Sequence, residues 1–242
     1  MNLIIDIGNT LCKYYLFEHN ELLSRHAEES HTFEWLDSLS EKPEAAIIST
    51  VVDLTEEAER RLDELGCPLV RFSASTLTPL RNLYHTPSTL GSDRLAAAVG
   101  AWTQQPGWPM LIVDAGSCVT FDFVSARGEY LGGNITPGIR ARLRAIDDYF
   151  PRLPLVEPEG DVPDIGYDTE TAIRAGVIRG MLHEFEGYIN AFRRKYPSLL
   201  VFLTGGDAKH LAITQTSRTF ADDFLLPKGL NAILEHSKDT SL

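Results

Sequence analysis

Two stretches of the sequence each place a carboxylate and a glycine turn at the end of an apolar run. Asp6-Ile7-Gly8-Asn9-Thr10 follows Leu3–Ile5, and Asp114-Ala115-Gly116-Ser117 follows Leu111–Val113. A carboxylate at a strand end, beside free N–H groups and a hydroxyl, suits a hydrated Mg²⁺ and nucleotide phosphates. Mg²⁺ keeps several waters and takes one or two carboxylates together with phosphate oxygens. Lys13 can reach a phosphate as a point charge. Asp and Gly are also ordinary hairpin-turn residues, and for one such unit alone a purely structural role is the better reading. A second unit 108 residues on, with matching flanks, reverses that preference. The third constellation is Gly91-Ser92-Asp93-Arg94 before an alanine-rich run. Asp93 in a first helical turn is favoured by the macrodipole and needs no other explanation, but Arg94 is less expected there. Together they could meet a substrate hydroxyl and carboxylate.

Two glycine-rich segments are weaker signals. Thr204-Gly205-Gly206 either leaves a gap for a flat adenine ring or is a helix-entry turn. Leu131–Gly138 (LGGNITPG) either lets a ligand or neighbouring backbone approach closely or is a loop leading to a helix from Ile139. No GxxxxGK[ST] sequence occurs, which argues against a P-loop kinase, and LGGNITPG does not match the GxGxxG of a dinucleotide fold.

The elements that must carry these residues form two similar α/β halves. Each acidic unit reads as a strand, a tight turn and a returning strand, with Asp6 matching Asp114, Gly8 matching Gly116 and Asn9 matching Ser117. Ala45–Val52, Pro68–Phe72 and Leu199–Leu203 read as strands. Leu54–Leu65 has helical apolar spacing and a stop at Gly66. Asp93–Thr103 is expected to be a helix capped by Ser92, and Thr171–Tyr196 a long amphipathic one. Alternating strands and helices imply an α/β fold, with a hinge near Gly107–Pro109 separating residues 1–108 from 109–242.

Length and charge set the frame. The chain has 242 residues, 43% of them hydrophobic, and a net charge of −12. That is enough apolar content for a real core, and the acidity argues against a nucleic-acid partner held by phosphate neutralisation. Cys12, Cys67 and Cys118 are far apart and form no metal-ligand pattern. The N-terminus lacks a basic signal-peptide region and no apolar run is long enough for a membrane span, so the expectation is a cytoplasmic protein without membrane contact.

Five motifs in order, DIGNT from Asp6, GSDR from Gly91, DAGS from Asp114, GGNITPG from Gly132 and TGG from Thr204, resemble those of type III pantothenate kinases. That family lies in the acetate and sugar kinase/actin-like ATPase superfamily. The resemblance covers essentially the whole chain and implies two duplicated ribonuclease-H-like halves with the nucleotide site between them, in a homodimer. It implies transfer of the γ-phosphate of ATP to the hydroxyl of pantothenate, giving 4'-phosphopantothenate, the first step of coenzyme A biosynthesis. Asp6, Ile7, Gly8, Asn9, Thr10, Leu11, Cys12, Lys13 and Ser117 would bind ATP, with Mg²⁺ held at Asp6 through water. Tyr84, Gly91, Ser92, Asp93, Arg94 and Thr169 would bind pantothenate, with Asp93 as general base. Asp114 would hold a monovalent cation, K⁺ or NH₄⁺. Ser117 stands where the family more often has Thr, which keeps the hydroxyl. Pro227-Lys228-Gly229-Leu230 would be the family's C-terminal Gly-Leu turn. A nucleotide-binding transcription accessory protein on the same scaffold is the alternative, since scaffold alone does not decide function.

Overall fold

A computed structural model describes residues 1–8, 11–29, 32–208 and 218–240. The chain divides into two compact units. The first comprises residues 1–106, 128–130 and 224–242, and the second residues 107–127 and 131–223. The sequence reading takes residues 109–242 as one half, whereas the structure groups the C-terminal helix with the first unit.

In the first unit, β1 (Asn2–Ile7) pairs antiparallel with β2 (Cys12–Glu18), which pairs antiparallel with β3 (Glu21–Glu28). On its other side β1 runs parallel to β4 (Ala45–Thr50), followed by β5 (Leu69–Arg71). The order is β3-β2-β1-β4-β5. Side chains alternate across a strand. Leu3, Ile5 and Ile7 therefore share one face with Cys12, Tyr14, Ala46 and Ile48, and this face packs on Ala58 and Leu62 of α1 (Glu56–Glu64). Thr55 caps α1, its side chain accepting from Ala58 N–H at 3.2 Å.

The opposite face carries Asn2, Ile4 and Asp6. It meets α5 (Leu225–Thr240) through Asn2, whose amide donates to Asn231 Oδ1 at 2.8 Å. α5 lies against α2 (Ser92–Gln104), and two glycines make that approach possible. A Cβ on Gly100 would run into Leu225 O, and one on Gly229 into Ala96 O. This corrects the expected turn at Pro227–Leu230. The segment is helical, Pro227 near the helix start needs no amide partner there, and Gly229 serves a packed helix interior.

The second unit repeats the plan. β7 (Met110–Ala115) pairs antiparallel with β8 (Cys118–Val124), which neighbours β9 (Glu129–Pro137). β7 also runs parallel to β10 (Leu200–Thr204), which runs parallel to β11 (Thr219–Ala221). The order β9-β8-β7-β10-β11 is that of the first sheet, which establishes the duplicated α/β architecture. The core joins Leu111, Val113 and Phe121 to Leu143 of α3 (Ile139–Tyr149) and to Met181 and Phe185 of α4 (Thr169–Lys195). Gly128 and the first two residues of β9 group with the first unit, where Glu129 and Tyr130 pair in parallel with β6 (Arg81–Asn82).

Three local expectations are corrected. Leu131–Gly138 is mostly strand β9 rather than a loop, and its glycines admit backbone: a Cβ on Gly133 would meet Phe121 O, and one on Gly138 would meet Gly116 O. The long helix begins at Thr169, two residues before the expected start, because Asp168 caps it. Asp168 Oδ1 accepts from Thr171 N–H at 2.8 Å, and Thr171 Oγ1 accepts from Asp168 N–H at 3.1 Å. Ser92 does not cap α2: the N-cap is Gly91, no side chain caps this end, and Ser92 is the first helical residue.

Candidate active site

In the first unit the hairpin brings Lys13 directly across from Asp6, and the two form an ion pair at 3.9 Å. Gly8 N–H donates to Leu11 O at 2.9 Å and closes the turn. Asn9 and Thr10, assigned to ATP on sequence, lie outside the described residues. Ile7 and Cys12 are buried in the core, so any phosphate contact from them must come from the main chain. Burial pushes the Cys12 thiol up to about 12, which leaves it neutral and unreactive.

Burial also raises the Asp6 carboxyl above its ordinary value. Lys13 opposes that effect and the negative charge of Asp93 adds to it. Asp93 is therefore near enough to Asp6 for its charge to be felt there. It sits in the first turn of α2 with its side chain exposed, and its Oδ1 accepts from Arg94 N–H at 2.8 Å. Gly91 leaves the room for this: a Cβ there would collide with Asp93 Oδ1. Arg94 is 7% exposed, and its guanidinium lies 5.9 Å from the Tyr84 ring centroid, a cation–π arrangement. Tyr84 in turn lies 6.3 Å from Tyr130. Tyr84, Gly91, Ser92, Asp93 and Arg94, separated by up to ten positions, thus form one cluster in the unit that carries Asp6 and Lys13.

Sequence reasoning missed one member. Ser49, at 2% exposure, faces Asp6 across the parallel β1–β4 register, and its Oγ lies 3.1 Å from Ser92 Oγ. The available signal was a hydroxyl inside the apolar run Ala45–Val52.

In the second unit Asp114 ends β7. Oxygens converge there: a Cβ on Gly205 would meet both Asp114 Oδ1 and Ala115 O, and one on Gly116 would have Asp114 Oδ1 and Cys118 O at 3.5 Å. Gly205 (φ +95°) is thus explained by close packing against the end of β7, and Gly206 faces open space. Ser117 is exposed, and its carbonyl accepts from Gly138 N–H at 3.1 Å. That bond sets the start of α3 beside the Ser117 turn, and no side chain caps this helix end. Thr169 is exposed at the head of α4, where the capping contacts run between Asp168 and Thr171. The described contacts do not join Thr169 to Asp114 or Ser117.

Among the described residues no group of three or more His, Cys, Asp or Glu side chains could hold a metal by itself. A lone carboxylate such as Asp6 still fits Mg²⁺, whose remaining positions go to water and phosphate oxygens. No helix among the described residues is long and apolar enough to cross a membrane.

Two sheets of one order, each delivering a carboxylate at the end of its first strand, define the duplicated fold of sugar kinases and actin-like ATPases. A ROK family glucokinase from Streptomyces griseus has that fold, with TM-score 0.53 at 13% identity, covering 98% of this chain and 99% of its own. A protein from Campylobacter jejuni described as a Baf family transcriptional activator superposes with TM-score 0.62 at 23% identity, again over 98% and 99% of the two chains. The model of the type III pantothenate kinase family matches residues 2–191. The type III pantothenate kinase of Bacteroides fragilis (strain YCH46) is 47% identical over 239 residues, 98% of each chain. This chain belongs to the type III pantothenate kinase family.

Proposed function

We infer that the protein transfers the γ-phosphate of ATP to the hydroxyl of pantothenate, opening coenzyme A synthesis. Family membership over the length of the chain supports the reaction. The observation that carries the assignment of roles is the cluster in the first unit, where exposed Asp93 and buried Arg94 head one helix within electrostatic reach of Asp6.

Phosphoryl transfer needs mainly positioning and charge neutralisation, with a carboxylate to take the proton. The pantothenate oxygen bonds to the γ-phosphorus as the bond to the β-phosphate oxygen breaks, and the hydroxyl proton passes to Asp93. Arg94, held against Tyr84, pairs with the substrate carboxylate, and Thr169 and the main chain at Gly91 and Ser92 complete the pantothenate contacts. Lys13 offsets phosphate charge, with Gly8 and Leu11 of the first unit, and Ser117 of the second, as further nucleotide-contact candidates. Asp6 would hold Mg²⁺ through water and the oxygens around Asp114 would hold K⁺ or NH₄⁺, and these ions would supply positive charge beside the phosphates. A second copy of the chain completes a homodimer.

The test is ADP release with pantothenate against other small hydroxy acids, for wild type and Asp93→Asn. Pantothenate-dependent turnover that falls ~10²–10⁴-fold in the variant, the usual range for loss of a general base, is the expected result. Pantothenate-independent ADP release, or near-normal turnover of a folded Asp93→Asn, contradicts it.

A further inference from the structure

Ser49 places a hydroxyl directly after residues of β4 that bury hydrocarbon: Ala45, Ala46, Ile47 and Ile48 precede it, all at 3% exposure or less. A buried hydroxyl is retained only with a hydrogen-bond partner. Its partner is Ser92 Oγ at 3.1 Å, 43 residues away in sequence. Ser92 is half-buried at the first position of α2, and because Gly91 is the N-cap, its hydroxyl is not spent on the helix's own amides.

The place of this bond matters more than its strength. On one side, Ser49 is the register partner of Asp6 on the neighbouring strand. On the other, Ser92 directly precedes Asp93. The pair therefore bridges the strand end that carries one carboxylate and the helix start that carries the other. Those carboxylates carry like charges at the two ends of the bridge. Repulsion between like charges favours separation, and the first turn of α2 has no side-chain cap to resist it.

We propose that Ser49 is a positioning residue that acts through Ser92 to hold Asp93 at a fixed offset from Asp6, and hence from the phosphate bound beside Asp6. The proposal rests on the reading of Asp93 as the general base. It also assigns the Ser92 hydroxyl to the strand rather than to the substrate, which a kinetic comparison can separate.

The experiment measures kcat and KM for ATP and pantothenate, with thermal melts, for Ser49→Ala, Ser92→Ala, the double variant, Ser92→Thr and Asp93→Asn. Each single alanine variant lowers kcat about three- to tenfold, the scale of one net hydrogen bond, with both KM values within about twofold of wild type. The double variant is no worse than the poorer single one, because one interaction has been removed twice. Ser92→Thr, which keeps the hydroxyl, recovers most of the rate. Multiplying losses in the double variant overturn the proposal, as does a raised pantothenate KM in Ser92→Ala beside a silent Ser49→Ala. Should Ser49→Ala fail to fold, half-buried Ser92→Ala decides alone, and an unchanged kcat there overturns it. Normal turnover of Asp93→Asn defeats the base reading and the proposal together. Lost turnover in Asp93→Asn beside unchanged serine variants defeats only the positioning role.

Discussion

Gly91→Ala perturbs the candidate base without replacing it. Gly91 has φ −56° and ψ 130°, which alanine adopts without strain, so the main chain has no reason to move. The added Cβ meets Asp93 Oδ1 before any other atom. That oxygen is the one held by Arg94 N–H at 2.8 Å, and the carboxylate must leave the bond to relieve the contact. Asp93 is exposed and free to swing outward, so the fold loses little. Alanine is a poorer N-cap than glycine by up to ~1 kcal/mol. Replacing glycine gains about 0.4–1 kcal/mol by restricting the unfolded chain. With the two nearly cancelling, Tm should stay within about 3 °C, given ~2–4 °C per kcal/mol at this size. Catalysis is more sensitive, since a displacement of about 1 Å of a reacting group can cost ~10²-fold. Steady-state ADP release should therefore show kcat down ~10–10²-fold with pantothenate KM little changed, and Gly91→Ala should add almost nothing in an Asp93→Asn background. A wild-type kcat in the folded variant refutes the reasoning. A rise in pantothenate KM alone also refutes it, and points to the added methyl meeting substrate rather than Asp93.

Asp6→Asn should abolish turnover yet melt no lower than wild type in metal-free neutral buffer. Burial raises the Asp6 pKa, so its ionised form costs stability once pH passes the ordinary carboxylate range, and the difference should shrink on acidification; a lower Tm for the variant at neutral pH contradicts this. Gly205→Ala, at φ +95° against Asp114 Oδ1 and Ala115 O, should lose stimulation by K⁺ or NH₄⁺ and keep the residual rate measured in Na⁺, as should Asp114→Asn. An unaltered cation response in both variants removes Asp114 from that role. Gly229→Ala forces a methyl onto Ala96 O between α2 and α5 and should cost ~1–3 kcal/mol, the scale of overpacking. That is a Tm loss of about 3–10 °C, and an unchanged melt argues against the close helix contact.

The duplication was legible because both copies keep their chemistry at the same place, a carboxylate ending the first strand, and the matching sheet orders follow from it. Elements with a local signal were read within a few residues, among them α1, α2 and β10. Elements whose cause lies elsewhere were not. β3 is an edge strand with no fully buried position along Glu21–Glu28, so it lacks the alternation that marks a strand. α5 carries Pro227 and Gly229, which read as breakers, and only the neighbouring α2 shows why glycine stands in mid-helix. LGGNITPG left a loop and a close backbone approach equally open; the second holds, because its glycines answer to Phe121 and Gly116 on another hairpin. The same limit governs the site. Asp6, Lys13 and Asp93 declare themselves by type and position, whereas the partner of Ser92 is a serine 43 residues upstream that no local pattern connects to it.

The electrostatics of the first unit bear on whether this scaffold catalyses or only binds. A nucleotide-binding regulator needs groups that attract phosphate, and Lys13 would serve. Asp6 and Asp93 work against that end. Asp6 is 17% exposed at its side chain, and its charge is opposed both by burial and by Asp93. In a chain of net charge −12, two carboxylates in electrostatic reach of one another weaken the binding of a polyanion unless a metal ion intervenes. Phosphoryl transfer is the case in which both are wanted, one to hold the metal that carries the phosphates and the other to take a proton from the incoming hydroxyl. The same reasoning extends to Arg94. Its guanidinium is buried against Tyr84, so under the proposed reaction desolvation would strengthen its pairing with a substrate carboxylate, while exposed Asp93 would meet the hydroxyl. A surface built only to sense nucleotide has no use for that division of labour along a single helical turn.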